Sequence, residues 1–157
     1  MIDGGSTTLH MCPYLEPLKL QVLTNSLHIV SVLLQQPHTG VSIPGGTVFR
    51  EQNIVIDADD EVNSRGFHAT RMFVSAAAVT RPGLMQTDII VVQAERKLMV
   101  QADEVVALID SSKFSASAGH VLCDLPRIKT LVTDNGVDAA SVRMLEREGV
   151  EVIVAKV

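Results

Sequence analysis

The stretch Met1-Ile2-Asp3-Gly4-Gly5-Ser6-Thr7-Thr8 opens the chain, and an apolar-periodic run (Leu9, Met11, Cys12, Leu15) follows it. A glycine pair and three hydroxyl residues between apolar segments read as a strand end turning into a helix N-terminus. Backbone N–H groups exposed there favour an anion. Gly4 and Gly5 would let the backbone approach a ligand closely, and Ser6, Thr7 and Thr8 add hydroxyl donors. In a parallel α/β domain a full strand precedes such a turn, whereas only Met1-Ile2-Asp3 stands here. The expectation is therefore a single domain over residues 1–157, truncated at its N-terminus.

The rest of the chain repeats the strand-then-helix pattern. Thr7 to Tyr14 is predicted to be a short helix, ended or bent by Pro13. Leu20 to Thr24 reads as a strand, and Asn25-Ser26 caps a helix with apolar positions Leu27, Val30, Leu33 and Leu34, stopped by Pro37. Val41 to Ile43 is a strand broken by Pro44-Gly45-Gly46. Thr47 to Ile56 reads as extended, and Asp59 to Phe67 as a short polar helix. Arg71 to Ser75 is a strand running into Ala76-Ala77-Ala78.

After Pro82-Gly83 a helix is expected from about Asp88 to Gln101. Buried-type strands follow at Glu104 to Ile109 and Thr130 to Thr133. A last helix runs from Asp138 as N-cap to Gly149 as the residue past its end, and Val150 to Val154 closes the sheet. Alternating strands and helices with no break in composition predict one α/β domain with a mostly parallel sheet flanked by helices.

Composition narrows the function. A hydrophobic content of 46% is that of a folded domain, and an aromatic share of 3% without tryptophan suits the Val, Ile, Leu and Ala layers of a parallel sheet. A net charge of -5 gives the chain no global attraction for nucleic acid. Cys12 and Cys123 lie in apolar contexts without metal-ligand spacing, as buried thiols of a reducing cytoplasm do. Neither a signal peptide nor a bilayer-spanning apolar run is visible, so a cytoplasmic location without membrane attachment is expected. His10, His28, His38, His68 and His120 show no metal spacing. The cluster Asp57, Asp59, Asp60 and Glu61 is better explained as a solvated helix start than as a metal site. Neither cofactor nor metal is expected.

Four loops follow the C-terminal ends of predicted strands: Asp3 to Thr8, Thr24 to Ser26, Pro44 to Gly46, and Asp110 to Phe114. Open α/β sheets bind ligands at such ends. These loops are rich in Gly, Ser, Thr and Asn, and one carries Lys113. The set suits a phosphorylated polyol, with amides and Lys113 for phosphate and neutral polar groups for sugar oxygens.

In their order and spacing, Asp3-Gly4-Gly5-Ser6-Thr7-Thr8, Leu23-Thr24-Asn25-Ser26, Gly45-Gly46 with Arg50, and Asp110-Ser111-Ser112-Lys113-Phe114 resemble the sugar-phosphate-sensing domain of DeoR-family bacterial transcription regulators. Thr130 to Asp134 and Gly149 to Ile153 extend the resemblance over essentially the whole chain. It implies a fold similar to that of ribose-5-phosphate isomerase and glucosamine-6-phosphate deaminase. It also implies an effector domain whose partner is a phosphorylated sugar or sugar-acid. DNA would be bound only through an absent N-terminal winged helix-turn-helix, and the protein would be a homo-oligomer, a dimer or tetramer. Carried over by resemblance, Gly5, Ser6, Thr7 and Thr8 hold the phosphate, Thr24, Asn25 and Gly46 line the pocket, and Lys113 reaches the phosphate or a sugar oxygen. Arg50 pairs with ligand or with a neighbouring subunit.

Two departures stand out. The family stretch Gly-Ala-Asp-Gly reads Ser75-Ala76-Ala77-Ala78 here, with Ala77 where the carboxylate belongs. The positions that commonly carry one or two glutamates are Ile90 and Val91. On this reading the phosphate end is intact and the sugar end has lost polar groups, as it varies in divergent members such as the ascorbate-utilisation repressor type. The alternative, an isomerase- or deaminase-like enzyme acting on a sugar phosphate, needs a positioned base, and the absence of these carboxylates reads against it. A dinucleotide enzyme is disfavoured because the third glycine of its fingerprint is missing.

Overall fold

The computed structural model describes residues 1–56 and 67–156. The expected polar helix at 59–67 and the acidic cluster at 57–61 therefore lie largely or wholly outside the described residues. The helices are α1 (Ser6–Met11), α2 (Leu27–Leu33), α3 (Ile89–Met99) and α4 (Ala139–Arg147). The strands are β1 (Gln21–Leu23), β2 (Gly40–Ser42), β3 (Thr47–Phe49), β4 (Ile54–Ile56), β5 (Ala69–Val74) and β6 (Ala78–Thr80). They continue with β7 (Gly83–Gln86), β8 (Ala102–Leu108), β9 (His120–Cys123), β10 (Ile128–Asp134) and β11 (Glu151–Ala155).

The main sheet is parallel, in the order β11-β10-β8-β5, and β1 and β2 form a second parallel pair. The first three residues join the two. Ile2 N–H donates to Leu23 O at 3.0 Å, while Asp3 N–H donates to Phe73 O at 3.0 Å and Phe73 N–H to Met1 O at 2.9 Å. Met1 to Asp3 thus lies as a short strand between β1 and β5, parallel to both. The larger apolar core combines the inward residues of β5, β8 and β10 with Val92 and Leu98 of α3 and Leu145 of α4. A smaller core gathers Ile2, Cys12, Leu15, Val22, Ile29 and Leu33 under the first two helices.

The ends of the helices follow the expected chemistry. Pro13 starts a 3-10 turn over Cys12–Tyr14 where α1 stops. Asp88 and Asp138 cap α3 and α4 through their carboxylates, and Gly149 follows α4 with φ of 84°. On α2, however, the buried positions are Ile29 and Leu33, while Leu34 is 67% exposed. The helix has seven residues, so only a single i, i+4 stripe reaches the core.

Three short antiparallel pairings correct the expectation of strands and helices alone. Thr47 to Ile56 is a hairpin of β3 and β4, turned through Arg50 to Asn53, with Asn53 at φ of 52°. Pro82-Gly83 turns a second hairpin, β6-β7, rather than simply preceding α3, and β9 pairs with β7 in a stretch where no strand is expected from sequence. Strands of three or four residues are too short to display an alternation that distinguishes them from loop. Arg96 fastens α3 to this second sheet, donating to Leu122 O at 2.8 Å and Val121 O at 2.7 Å.

Gly83 is required by that hairpin. Its φ is +144°, and a Cβ would stand 1.9 Å from the backbone oxygen of Cys123. Gly83→Ala is expected to destabilise the fold by about 2–4 kcal/mol. Gly119→Ala, where a Cβ meets nothing within 4 Å, should stay within about 1 kcal/mol of the parent. Urea unfolding midpoints of the two variants check this difference.

Candidate functional site

Five of the turns that line one cleft of about 200 Å³ leave the ends of strands: Gly4 to Thr7, Asn25, Ser75 to Ala77, Gln86 to Asp88, and Leu108 to Asp110 with Lys113. Val91 and Glu95 of α3 form another wall, and Gln52 and Ile54 of the β3-β4 hairpin complete it. Of the sequence-derived candidates, Gly5, Ser6, Thr7, Asn25 and Lys113 come together here. Thr8, Thr24, Gly46 and Arg50 are not among the lining residues.

Thr8 and Thr24 are buried, and their hydroxyls serve the protein itself. Thr8 Oγ1 lies 2.6 Å from Asp3 Oδ1, and Thr24 Oγ1 accepts from Ser26 N–H at 3.1 Å. Gly46 and Arg50 stand at the β3-β4 hairpin, which instead presents Gln52 and Ile54 to the cleft. Ser26 is a plain helix cap, its hydroxyl accepting from Ile29 N–H at 3.4 Å.

Asp3 organises the floor. Its Oδ1 accepts from Gly5 N–H at 3.1 Å and from Thr8, and its Oδ2 accepts from Ser75 N–H at 2.5 Å and Ser75 Oγ at 3.0 Å. Gly5 is a glycine for this reason, since a Cβ would lie 1.7 Å from Ser75 Oγ. Its amide is thereby committed to Asp3 rather than left for a ligand. The N–H groups of Ser6 and Thr7, in the first turn of α1, have no acceptor in the helix and none among the described residues. Complete burial pushes the Asp3 carboxyl above its ordinary range, and its four hydrogen bonds oppose that shift.

Lys113 belongs to the 3-10 turn Ser111–Phe114, capped by Asp110. Asp134 anchors this turn by accepting from Ser111 N–H at 2.7 Å, and that bond helps hold the Asp134 carboxyl below its ordinary range. The ammonium of Lys113 lies 3.9 Å from Asp110 Oδ2 with the side chain 38% exposed, so it is loosely paired and can reach into the cleft.

The cleft also holds groups that sequence reasoning missed. Ala77 and Val91 do line the cleft as apolar residues, but Glu95, one turn beyond Val91 on the same helix face, is there too and only 4% exposed. Gln86 Nε2 donates to Glu95 Oε2 at 3.2 Å and to Ser75 O at 3.4 Å. Burial, reinforced by the negative charge of Asp3, pushes the Glu95 carboxyl well above the usual range, and the Gln86 amide opposes it. A carboxyl thus lines the cleft although Ala77 and Val91 are apolar. The i, i+4 relation between Val91 and Glu95 was the signal available in the sequence. Among the described residues no grouping of His, Cys, Asp and Glu would hold a metal ion.

Residues 1–135 match the family described as the DeoR C terminal sensor domain. The chain belongs to that family. The HTH-type transcriptional regulator UlaR of Shigella dysenteriae is 29% identical over 153 residues, covering 98% of this chain and 61% of the regulator. The proteins of the same name from Salmonella arizonae and Salmonella newport are 30% identical with the same coverage. The chain therefore spans 61% of the length of these relatives. No described helix of this sensor domain is long and apolar enough to cross a membrane.

The raised carboxyls have a measurable consequence. In the pH interval between the ordinary and the raised values, the folded state binds more protons than the unfolded chain, so stability falls as pH climbs through it. Glu95→Gln removes one of the two groups and should flatten that fall. Thermal midpoints from pH 4 to 8 are expected to decline less in the variant than in the parent; parallel declines would show that Glu95 carries no such shift.

Proposed function

We propose that the cleft is the effector site of a DeoR-type transcriptional repressor and that it takes a phosphorylated sugar or sugar-derived metabolite. The observation that carries this reading is that the Ser6 and Thr7 N–H groups, without an acceptor among the described residues, and Lys113 line the same cleft. Two amide donors and an ammonium suit a phosphate, and in a helix of six residues the N–H groups matter more than the small dipole. Thr8, through Asp3, holds the turn in place. Asn25 lines the same space, and Arg50 acts from the adjacent hairpin on the ligand or on a neighbouring subunit.

Ligand binding would favour one arrangement of subunits and so bias DNA-binding heads joined to this domain in a full-length, cytoplasmic, homo-oligomeric regulator. The names of the relatives support a regulator rather than an enzyme. The enzyme reading draws on one observation, the buried carboxylate of Glu95 in the cleft. Incubation with ribose 5-phosphate or glucosamine 6-phosphate should yield no product; turnover lost in Glu95→Gln would favour the enzyme.

Lys113→Ala should weaken inorganic phosphate binding at least tenfold, since a charge-assisted contact contributes about 1.5–3 kcal/mol. Arg50→Ala should leave it within about twofold, a change of less than about 0.5 kcal/mol. Calorimetric titrations of both variants check this, and unchanged affinity in Lys113→Ala would place the anion elsewhere.

A further inference from the structure

A chain of hydrogen bonds joins the glycine turn to the interior of α3. Asp3 accepts from Gly5 N–H at 3.1 Å and from Ser75 N–H at 2.5 Å. Ser75 O accepts from Gln86 Nε2 at 3.4 Å, and the same Nε2 donates to Glu95 Oε2 at 3.2 Å and Oε1 at 3.4 Å. The chain begins and ends on a carboxyl, and both carboxyls are buried. They are unequally provided for. Backbone and hydroxyl donors from Gly5, Thr8 and Ser75 favour the ionised form of Asp3 against its burial, whereas among the described residues Glu95 accepts from the Gln86 amide. Neither carboxyl has a cationic partner among the described residues. Arg96, next to Glu95, donates instead to Leu122 O and Val121 O. The other ionisable groups lining the cleft are Asp88, Asp110 and Lys113. Beyond its wall, burial and the neighbouring charges, Glu95 among them, push the Cys123 thiol up to about 12, so it stays protonated. His120 stands opposite Gln86 in the β7-β9 pair.

We infer that anion binding in the cleft is coupled to proton uptake by Glu95, so that the site holds its ligand more tightly as pH falls. An anion at the Ser6 and Thr7 amides brings a further negative charge into a cleft of about 200 Å³. Such a space is small against the Debye length of about 10 Å at 0.1 M salt, so salt does not screen the charges within it from one another. Like charges held this close are relieved when one of them is neutralised. Glu95 has the fewest donors and takes the proton. Asp3 already acts on it in this direction, second only to burial, and an anion on the turn that Asp3 organises adds to the effect. Lys113 offsets part of the ligand's charge and so limits the coupling. At a pH where Glu95 is already protonated in the free protein, nothing is taken up. Above that interval each bound anion draws up to about one proton from solution, and the association constant falls with rising pH accordingly.

This inference rests on the anion reading of the same cleft, and sulfate separates the two because it does not titrate near neutral pH. Sulfate is titrated calorimetrically from pH 5 to 8, in pairs of buffers with different heats of ionisation, which gives the protons taken up. The parent should take up about half a proton or more at its maximum, with affinity falling about threefold per pH unit there. Glu95→Gln, which resembles the neutral carboxyl in shape, should take up almost none and bind with a nearly constant affinity across the range. Gln86→Met removes the amide that favours the ionised carboxyl, and its uptake should move to higher pH. His120→Gln should behave as the parent does. Sulfate bound by the parent without protons, uptake undiminished in Glu95→Gln, uptake unmoved in Gln86→Met, or uptake lost in His120→Gln would each overturn the coupling and leave the anion reading intact. Failure of the parent to bind sulfate at any pH would overturn the anion reading and this inference with it.

Discussion

Asp3 is completely buried, and both of its carboxylate oxygens are taken by groups from Gly5, Thr8 and Ser75. These contacts close a loop between the first strand, the first helix and the end of β5. Each of the two amides involved would otherwise be a partly buried donor without this acceptor, and networks of this kind are costly to leave half satisfied. The Asp3 side chain therefore sets how closely the glycine turn approaches Ser75, and so where the amides of Ser6 and Thr7 face. It also places a negative charge beside Glu95, which is one cause of the upward shift of that carboxyl.

The cleft is lined both by donors, the first-turn amides and a half-exposed ammonium, and by acceptors, the Asn25 amide and the Glu95 carboxyl. The donors come from turns at the ends of parallel strands, where open sheets commonly place their ligand groups. Glu95 comes from within a helix, and the antiparallel β6-β7-β9 unit helps hold that helix through the Arg96 contacts to β9. The second sheet is in this sense part of the site.

Much of the architecture was legible in the chain. Long buried runs such as Glu104 to Ile109 announce central strands, and the capping residues Ser26, Asp88 and Asp138 mark helix starts because a side-chain oxygen there answers an orphan amide. The three-residue strands of the hairpins were not legible, since pairing with distant partners, rather than local pattern, makes them strands. At the site, residue type pointed to loops rich in Gly, Ser and Asn, and several of these line the cleft. It could not separate Thr7, which lines the cleft, from Thr8, whose hydroxyl turns inward to Asp3. Glu95 was hidden for a different reason. A glutamate between Ala94 and Arg96 in an amphipathic helix reads as a surface charge, and only its i, i+4 relation to Val91 betrays its direction.

The most direct measurement is a crystal structure of this chain grown in phosphate. The oxyanion should sit at the Ser6 and Thr7 amides with the Lys113 ammonium turned toward it. A phosphate bound away from this cleft, with the Ser6 and Thr7 amides still without an acceptor, would contradict its assignment as the sensor site.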